Sequence, residues 1–256
     1  MQLDGTTKSE VIKTLGLTWS PHSDEFFFIT KTPAEVLEML TKRKVLSEIG
    51  RLFDPLGLAS PVVVAKILMQ KPWTAGLSWD ENLDGELLVS WLKLCDALPQ
   101  SSEMTIPRRV VFSNIVAKEI HEFSDASISA YGAVLYVRNI FADGRAELRL
   151  LTSKSKVTPI AELSIPRKEL LAARLLSRLV VKVMQSLKLK FDDVVLWSDS
   201  QIVLAWLCKP LTSLQVFVRN RVAEITTKTK DFTWKYICIC ICIYNLKSLD
   251  IWVFMK

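Results

Sequence analysis

Histidine is nearly missing from these 256 residues: His22 and His121 are the only two, and neither lies near a cysteine pair. The cysteines are Cys95, Cys208, Cys238, Cys240 and Cys242. The last three alternate with isoleucine, so on a strand they share one face and lack the spacing of zinc ligands. This excludes a zinc-finger type of site, and the odd, scattered set suits a reducing intracellular compartment. Long apolar runs are lacking too. Tyr236–Tyr244 is too short to span a bilayer, and Lys247 and Asp250 break up the residues after it. Met1–Glu10 is polar, without the apolar core of a signal peptide. The expectation is a soluble cytoplasmic or nuclear protein with no membrane segment. A D-[ST]-G loop, which pairs two aspartates around a water in aspartic peptidases, is absent as well. Asp4-Gly5-Thr6, Asp125-Ala126-Ser127 and Asp199-Ser200-Gln201 all fail that pattern.

Half of the residues are hydrophobic and 23% are charged, enough for sizeable cores in one large domain or two ordinary ones. The formal net charge of +6 favours acidic partners, of which nucleic acid is the commonest.

Along the chain, Val11–Trp19 and Phe26–Ile29 read as two short strands joined by a polar turn at Pro21–Asp24. Two strands make no core alone, so a partner sheet is expected. From Thr32 the pattern is helical. Pro33 opens one helix, and Lys44–Phe53 places Val45, Leu46, Ile49, Leu52 and Phe53 at helical spacing. Asp54-Pro55-Leu56-Gly57 stops it by turn chemistry. Val62–Met69 and Leu87–Leu98 read as further helices, linked by the turn-rich Trp79–Gly85. Lys42, Arg43 and Lys44 form a basic run, read either as a solvated helix start or as a phosphate contact. Residues 99–117, with Pro99, Ser101, Ser102 and Pro107, read as a linker.

Beyond it come three strands, Ile120–Ser124, Ala130–Val137 and Ala146–Ser153, with Asp143-Gly144 at the second turn. A helix over Pro166–Leu187 comes next, with Ser164 as its cap and Leu171, Leu175, Leu179, Val183 and Leu187 as its apolar stripe. Then come a strand at Val194–Trp197, a helix at Ser200–Leu207 stopped by Pro210, a helix at Val216–Ile225 and a strand at Phe232–Ile237. This order predicts an α/β fold, a mixed five-stranded sheet flanked by helices, preceded by a mostly helical segment. Passing from the meander through a helix allows the fourth strand to lie parallel to the first.

Three carboxylates hold special places in that pattern. Asp125 ends the first strand in H-E-F-S-D-A-S, Glu169 lies in the first turn of the long helix in P-R-K-E-L-L, and Asp199 ends the fourth strand in L-W-S-D-S. Singly, each has an ordinary structural reading: a turn residue, a first-turn acid favoured by the helix dipole, and a helix N-cap. Together, at two strand ends and one helix start, they suit phosphodiester hydrolysis by two divalent metals. Hard cations take oxygen ligands, and clustered carboxylates repel one another without them. Two such ions activate the attacking water and stabilise the leaving oxygen.

The segment Glu119–Tyr236 resembles the ribonuclease H domain of long-terminal-repeat retrotransposons. More narrowly, K-V-L-S-E-I-G-R-L-F-D-P-L-G-L-A-S-P (Lys44–Pro61) resembles the signature of BEL/Pao elements, a region also labelled a retrotransposon peptidase. Leu15-Gly16-Leu17-Thr18-Trp19 resembles the primer-grip end of a reverse transcriptase palm. The resemblance implies the palm's end over 1–32, a helical thumb or connection with its linker over 33–117, a ribonuclease H-like domain over 118–236, and an aberrant tail over 237–256. It implies an RNA–DNA hybrid or other nucleic acid as partner, Mg²⁺ (or Mn²⁺) as cofactor, and Asp125, Glu169 and Asp199 as catalytic metal ligands. Asp125 would bridge the two ions, and Glu169 and Asp199 would each hold one side.

The chain departs from its family twice. It has no Y-x-D-D motif, so the polymerase palm is missing from it and no reverse transcription is expected. After Phe232-Thr233-Trp234-Lys235-Tyr236, where the family carries a fourth aspartate in a loop rich in proline and asparagine, it reads I-C-I-C-I-C-I-Y. This matches translation of a simple nucleotide repeat. With three ligands the second metal would be held loosely, and weak or no nuclease activity is expected. Ile237–Tyr244 is also an aggregation-prone segment.

Two rival readings remain. A nucleic-acid-binding remnant would keep a basic surface without cutting, using Trp197, Trp206, Arg167 and Lys168, with Lys42, Arg43 and Lys44 as further contacts. An integrase core shares the fold and an acidic triad but places its glutamate last, whereas here Glu169 precedes Asp199.

Overall fold

The computed structural model describes residues 12–14, 17–27, 40–51, 54, 56–57, 61–98 and 105–238. The readings placed on Val11, Leu15, Gly16, Phe28, Ile29, Pro33, Leu52, Phe53, Pro55, Pro99, Ser101, Ser102 and the tail from Ile239, Cys240, Cys242 and Asp250 included, lie outside the described residues. The chain divides into two compact units, Met1–Pro55 with Val64–Arg109, and Leu56–Val63 with Val110–Lys256.

The first unit holds an antiparallel sheet in the order β1 (Ile12–Thr14), β2 (Leu17–Ser20), β3 (Glu25–Phe27), β4 (Thr105–Pro107). The stretch read as one strand is a pair: Ile12 faces Trp19 and Thr14 faces Leu17. A period-two pattern is the same for one long strand and for two folded back on each other, so alternation could not separate them. The partner strand β4 comes from the expected linker, with Ile106 opposite Phe26. Three helices complete this unit, α1 (Lys42–Arg51), α2 (Pro61–Thr74, whose first turn belongs to the second unit) and α3 (Gly85–Ala97). Val45 and Ile49, one turn apart, bury with Leu68, Met69, Trp91 and Leu94.

The second unit is an α/β fold. Its elements are β5 (Ile115–Ala126), β6 (Ala130–Phe141), β7 (Ala146–Val157), α4 (Ile165–Ser186), β8 (Asp193–Ser198), α5 (Gln201–Cys208), α6 (Val216–Lys228) and β9 (Thr233–Tyr236). The sheet order is β7-β6-β5-β8-β9. The first three strands form an antiparallel meander, and β8 and β9 add in parallel. The element order and the parallel pairing of first and fourth strands agree with the sequence expectation. The meander strands run longer at their ends, because polar residues there still join the ladder.

Helix α4 is buried on two sides. Leu175, Leu176 and Val180 pack on Ile120, Leu135 and Leu196 of the sheet. Leu170 and Ala173 pack on Val203, Val218, Val222 and Ile225 of α5 and α6. The deepest positions are therefore Leu170, Ala173, Leu176 and Val180, offset from the expected stripe, of which Leu179 and Val183 are only partly buried. A helix covered from two directions needs apolar residues beyond a single stripe. Each fully buried leucine or valine contributes about 1.5–3 kcal/mol, which anchors α4 firmly.

Leu56 and Gly57 of the D-P-L-G turn dock on the edge strand β7. Leu56 O accepts hydrogen bonds from Ser153 N (2.9 Å) and Thr152 Oγ1 (2.7 Å), and Gly57 O accepts one from Ser153 Oγ. Gly57 has φ +69°, and a Cβ there would collide with Ser153 O. The turn thus covers part of an otherwise open sheet edge. Among the described residues, no helix is long and apolar enough to cross a membrane.

Candidate metal centre

The parallel register of β5 and β8 pairs Ser124 with Ser198. The next residue on each strand is an acid, Asp125 and Asp199, so two carboxylates emerge at the same rim. Asp125 also pairs with Gly132 of β6. Beyond Asp199 the chain turns into α5. Ser200, rather than Asp199, is the N-cap, its Oγ accepting from Val203 N at 3.3 Å. Asp199 is thereby spared the ordinary capping role.

Glu169 comes down from α4. It opens the second turn of that helix, one residue further in than the sequence suggested, because α4 begins at Ile165. Ser164 occupies the N-cap position, but its side chain makes no capping bond. One oxygen each from Asp125, Glu169 and Asp199 lie within 4.8 Å of one another. Burial, and then the charges of Asp125 and Asp199, push the Glu169 carboxyl up to about 8, against a backbone hydrogen bond with Ala126 that favours its ionised form. Its Oε2 is buried with no hydrogen-bond donor. A crowded carboxylate set with an orphaned buried oxygen fits a divalent cation, which supplies the missing positive charge and takes oxygen ligands. The rim opens on a cleft of about 370 Å³ lined by Pro166, Glu169, Asp199, Ser200, Gln201 and Tyr236. Gln201 and Tyr236 had no motif to mark them. Tyr236 reaches the cleft because its partner in the β8–β9 ladder is Ser198.

The five cations named as nucleic-acid contacts meet different fates. Lys168 is buried, and its Nζ donates to Ile128 O at 3.0 Å, pinning the β5–β6 turn over the carboxylates. Arg167 donates to Gln215 Oε1 and lies 5.2 Å from the Phe217 ring. In the first unit, Lys42 is buried, donates to Leu77 O at 2.9 Å and sits 4.4 Å from the Trp73 ring and 5.3 Å from the Trp79 ring. Arg43 pairs with Asp80. Lys42 and Lys168 are thus turned inward, each donating to an internal carbonyl. A basic run in a sequence does not say which ammonium finds an internal acceptor. Lys44 remains exposed. Trp197 stacks on Phe123, and its Nε1 donates to His121 Nδ1 at 3.1 Å, so it is half-buried structure. Trp206 packs against the α4–α6 core.

A family model described as Pao retrotransposon-like RNaseH-like domain matches residues 41–200. No curated protein matches the chain. Among solved structures, a foamy viral protease-reverse transcriptase in complex with double-stranded DNA superposes with a TM-score of 0.55 at 14% identity, over 89% of this chain and 38% of that one. The foamy viral enzyme in complex with an RNA/DNA hybrid gives 0.54 at 12% identity, over 90% and 29%. RNase H1 from the halophilic archaeon Halobacterium salinarum NRC-1 gives 0.31 at 14% identity, over 48% and 88%. The chain spans less than half the length of the foamy viral chains it matches.

Proposed function

The chain belongs to the family of Pao retrotransposon-like RNaseH-like domains, and we propose that its second unit is a ribonuclease H-type endonuclease centre acting on the RNA strand of RNA–DNA hybrids. The observation that supports this most is the convergence of Asp125, Glu169 and Asp199 within 4.8 Å. In this reading Asp125, Glu169 and Asp199 would together hold the metal. Divalent cations held there, Mg²⁺ or Mn²⁺, would polarise the scissile phosphate and lower the pKa of the attacking water. Lys168 holds the Ser127–Ser129 turn beside the site through Ile128 O. The Ala126 amide orients Glu169. The cleft lined by Gln201 and Tyr236 admits the strand. A foamy viral relative in fold was solved with an RNA/DNA hybrid, which supports that substrate class. The nuclease domain is assigned to 118–236, with 1–32 and 33–117 as the palm's end and the thumb or connection of a longer polyprotein.

Turnover is weak in this reading. Among the described residues the carboxylate group has three members, and Asp250, the one acid beyond Ile237, lies in a sequence unlike the family's fourth-aspartate loop. Loss of one ligand removes transition-state stabilisation, at tenfold in rate per 1.36 kcal/mol. The three-member group equally favours a second reading, a nucleic-acid-binding remnant that no longer cuts. Incubation of the purified chain with a labelled hybrid and Mg²⁺ or Mn²⁺ separates them. Slow, metal-dependent cleavage abolished by Asp125→Asn supports the nuclease. Binding without any cleavage supports the remnant, and turnover at the level of an intact ribonuclease H refutes the claim of impairment.

A further inference from the structure

A second charged feature of the same unit lies away from the carboxylates. Edge strand β7 and helix α4 flank a cavity of about 180 Å³ with Lys154 and Lys156 on one wall and Arg174, Arg178 and Lys182 on the other. Tyr131 of β6 lines it too, and Leu171, Leu175 and Leu179 supply an apolar floor. The three α4 cations are four residues apart, so they recur at about 6 Å intervals along the helix axis. Their row starts five residues after Glu169 and runs away from the metal centre. On the opposite wall, Lys156 pairs with Tyr131, which pairs with Ala126 beside Asp125. The trough therefore begins two strands from the carboxylates and leads outward.

Among the described residues, Arg174 and Arg178 are paired with an acid and the three lysines are not. Glu224 of α6 is that acid, accepting from Arg174 Nε (2.7 Å) and from both Nε (2.5 Å) and Nη2 (3.0 Å) of Arg178. One carboxylate stands against five positive groups. Its own carboxyl is held down at about 2 by the two guanidinium groups. Nearby Arg221 is lowered by burial and by the charge of Arg174. Holding like charges together costs free energy that an anionic ligand recovers. The exposed lysines at the mouth and the apolar floor with a tyrosine match a surface that tracks a sugar–phosphate backbone and accepts a base face.

We propose that the β7–α4 trough is a nucleic-acid backbone site, in which Lys154, Lys156 and Lys182 neutralise successive phosphates of a strand whose neighbouring segment lies at the carboxylate rim. Arg174 and Arg178, both held by Glu224, shape the wall. This rests on the nucleic-acid reading above but not on cleavage, so it is tested by binding with metal removed.

The experiment measures the anisotropy of a short fluorescein-labelled RNA–DNA hybrid in EDTA, titrated with the full chain at several salt concentrations. The variant Lys154→Ala/Lys156→Ala/Lys182→Ala removes three exposed cations from the trough. The control Lys188→Ala/Lys190→Ala/Lys230→Ala removes three exposed lysines elsewhere in the same unit, with the same change in net charge. The expected result is a log–log salt slope shallower by about 2–3 in the trough variant, at roughly 0.9 per lost phosphate contact, with affinity on the order of tenfold or more weaker. The control should keep most of the original slope and affinity. Equal losses in the two variants would reduce the effect to net charge and overturn the proposal. So would an unchanged slope in the trough variant, or a wild-type chain that does not bind the hybrid. A chain that binds with this pattern and never cleaves removes the nuclease reading and leaves the trough standing.

Discussion

Asp125 and Asp199 each come directly after a serine, and those serines, Ser124 and Ser198, are partners in the parallel ladder of β5 and β8. Residues 74 positions apart in the chain thus come to one rim, with their carboxylate oxygens and one of Glu169 within 4.8 Å. Like charges at that distance in a partly buried place oppose the folded state unless a cation or a proton intervenes.

Neutralising one member should therefore stabilise the metal-free chain. Glu169→Gln is expected to raise its unfolding free energy by about 1 kcal/mol, roughly 2–4 °C in Tm for a chain of this size. The same change should erase the rise in Tm that Mn²⁺ gives the parent protein. Thermal unfolding with and without Mn²⁺ checks both, and a variant that keeps the full metal-dependent rise would show that Glu169 is no ligand.

Metal binding should also release a proton. With its carboxyl raised to about 8, Glu169 is largely protonated at neutral pH in the metal-free protein, and a cation must displace that proton. Affinity for Mn²⁺ should rise with pH up to about 8 and level off above it. Calorimetric titration in two buffers of different ionisation enthalpy measures the proton directly; identical heats in both would contradict the raised carboxyl.

Glu122 is fully buried three residues before Asp125, between Leu135 and Leu196 in the ladders, and neither of its oxygens has a hydrogen-bond partner. Burial holds its carboxyl well above the usual range. The folded state therefore keeps a proton that the unfolded chain loses above about 4.5, so this residue's contribution is most favourable below that pH and declines as pH rises from there towards the folded value. Glu169 has the same sign, over roughly pH 4.5 to 8. Glu122→Met should gain about 1–3 kcal/mol by removing an unsatisfied polar group and flatten the fall of stability with pH. Denaturant midpoints at pH 5 and pH 8 (about the two ends of that window) test it. A variant less stable than the parent at both would show that Glu122 has a partner in solution.

Gly57→Ala should cost at least about 2 kcal/mol, because it combines a left-handed backbone with a collision at Ser153 O. The loss should weaken protection of the β7 edge, read as faster amide exchange at Ser153. Normal exchange there would mean that the turn does not cover the strand.

In the first unit, Lys42→Ala removes an ammonium that meets Leu77 O and the Trp73 and Trp79 rings, leaving the carbonyl unsatisfied. A loss of about 1–3 kcal/mol is expected, with hybrid affinity unchanged. A selective loss of hybrid affinity at unchanged stability would restore this lysine to the nucleic-acid surface.

Much of the second unit was legible before any coordinates. Alternation, turn residues and one long amphipathic run placed every strand and helix from Ile120 to Ile237 in order, since those signals are local and the elements are long. The carboxylates were legible because strand ends and helix starts are local features too. Less was legible at the N-terminal end. The pairing of Ile12 with Trp19, and of β3 with a strand from residues 105–107, joins short segments whose pattern fits several pairings. The basic run left two readings open for a related reason: composition counts charges but not the carbonyl or ring that each one finds.

What the sequence settled by itself is the order of the second unit's main elements and the three acids at their ends, because hydrophobic period and chain-break chemistry act over a few residues. What only the tertiary structure decided is which side chains share a space: Glu122 sealed between leucines, Lys42 and Lys168 turned inward, Leu56 and Gly57 laid on β7, and five cations gathered along a trough from two distant segments. Those outcomes depend on strand register and on how α4 is rotated between the sheet and α6. A shift of one residue in register would turn every side chain of a strand to the opposite face.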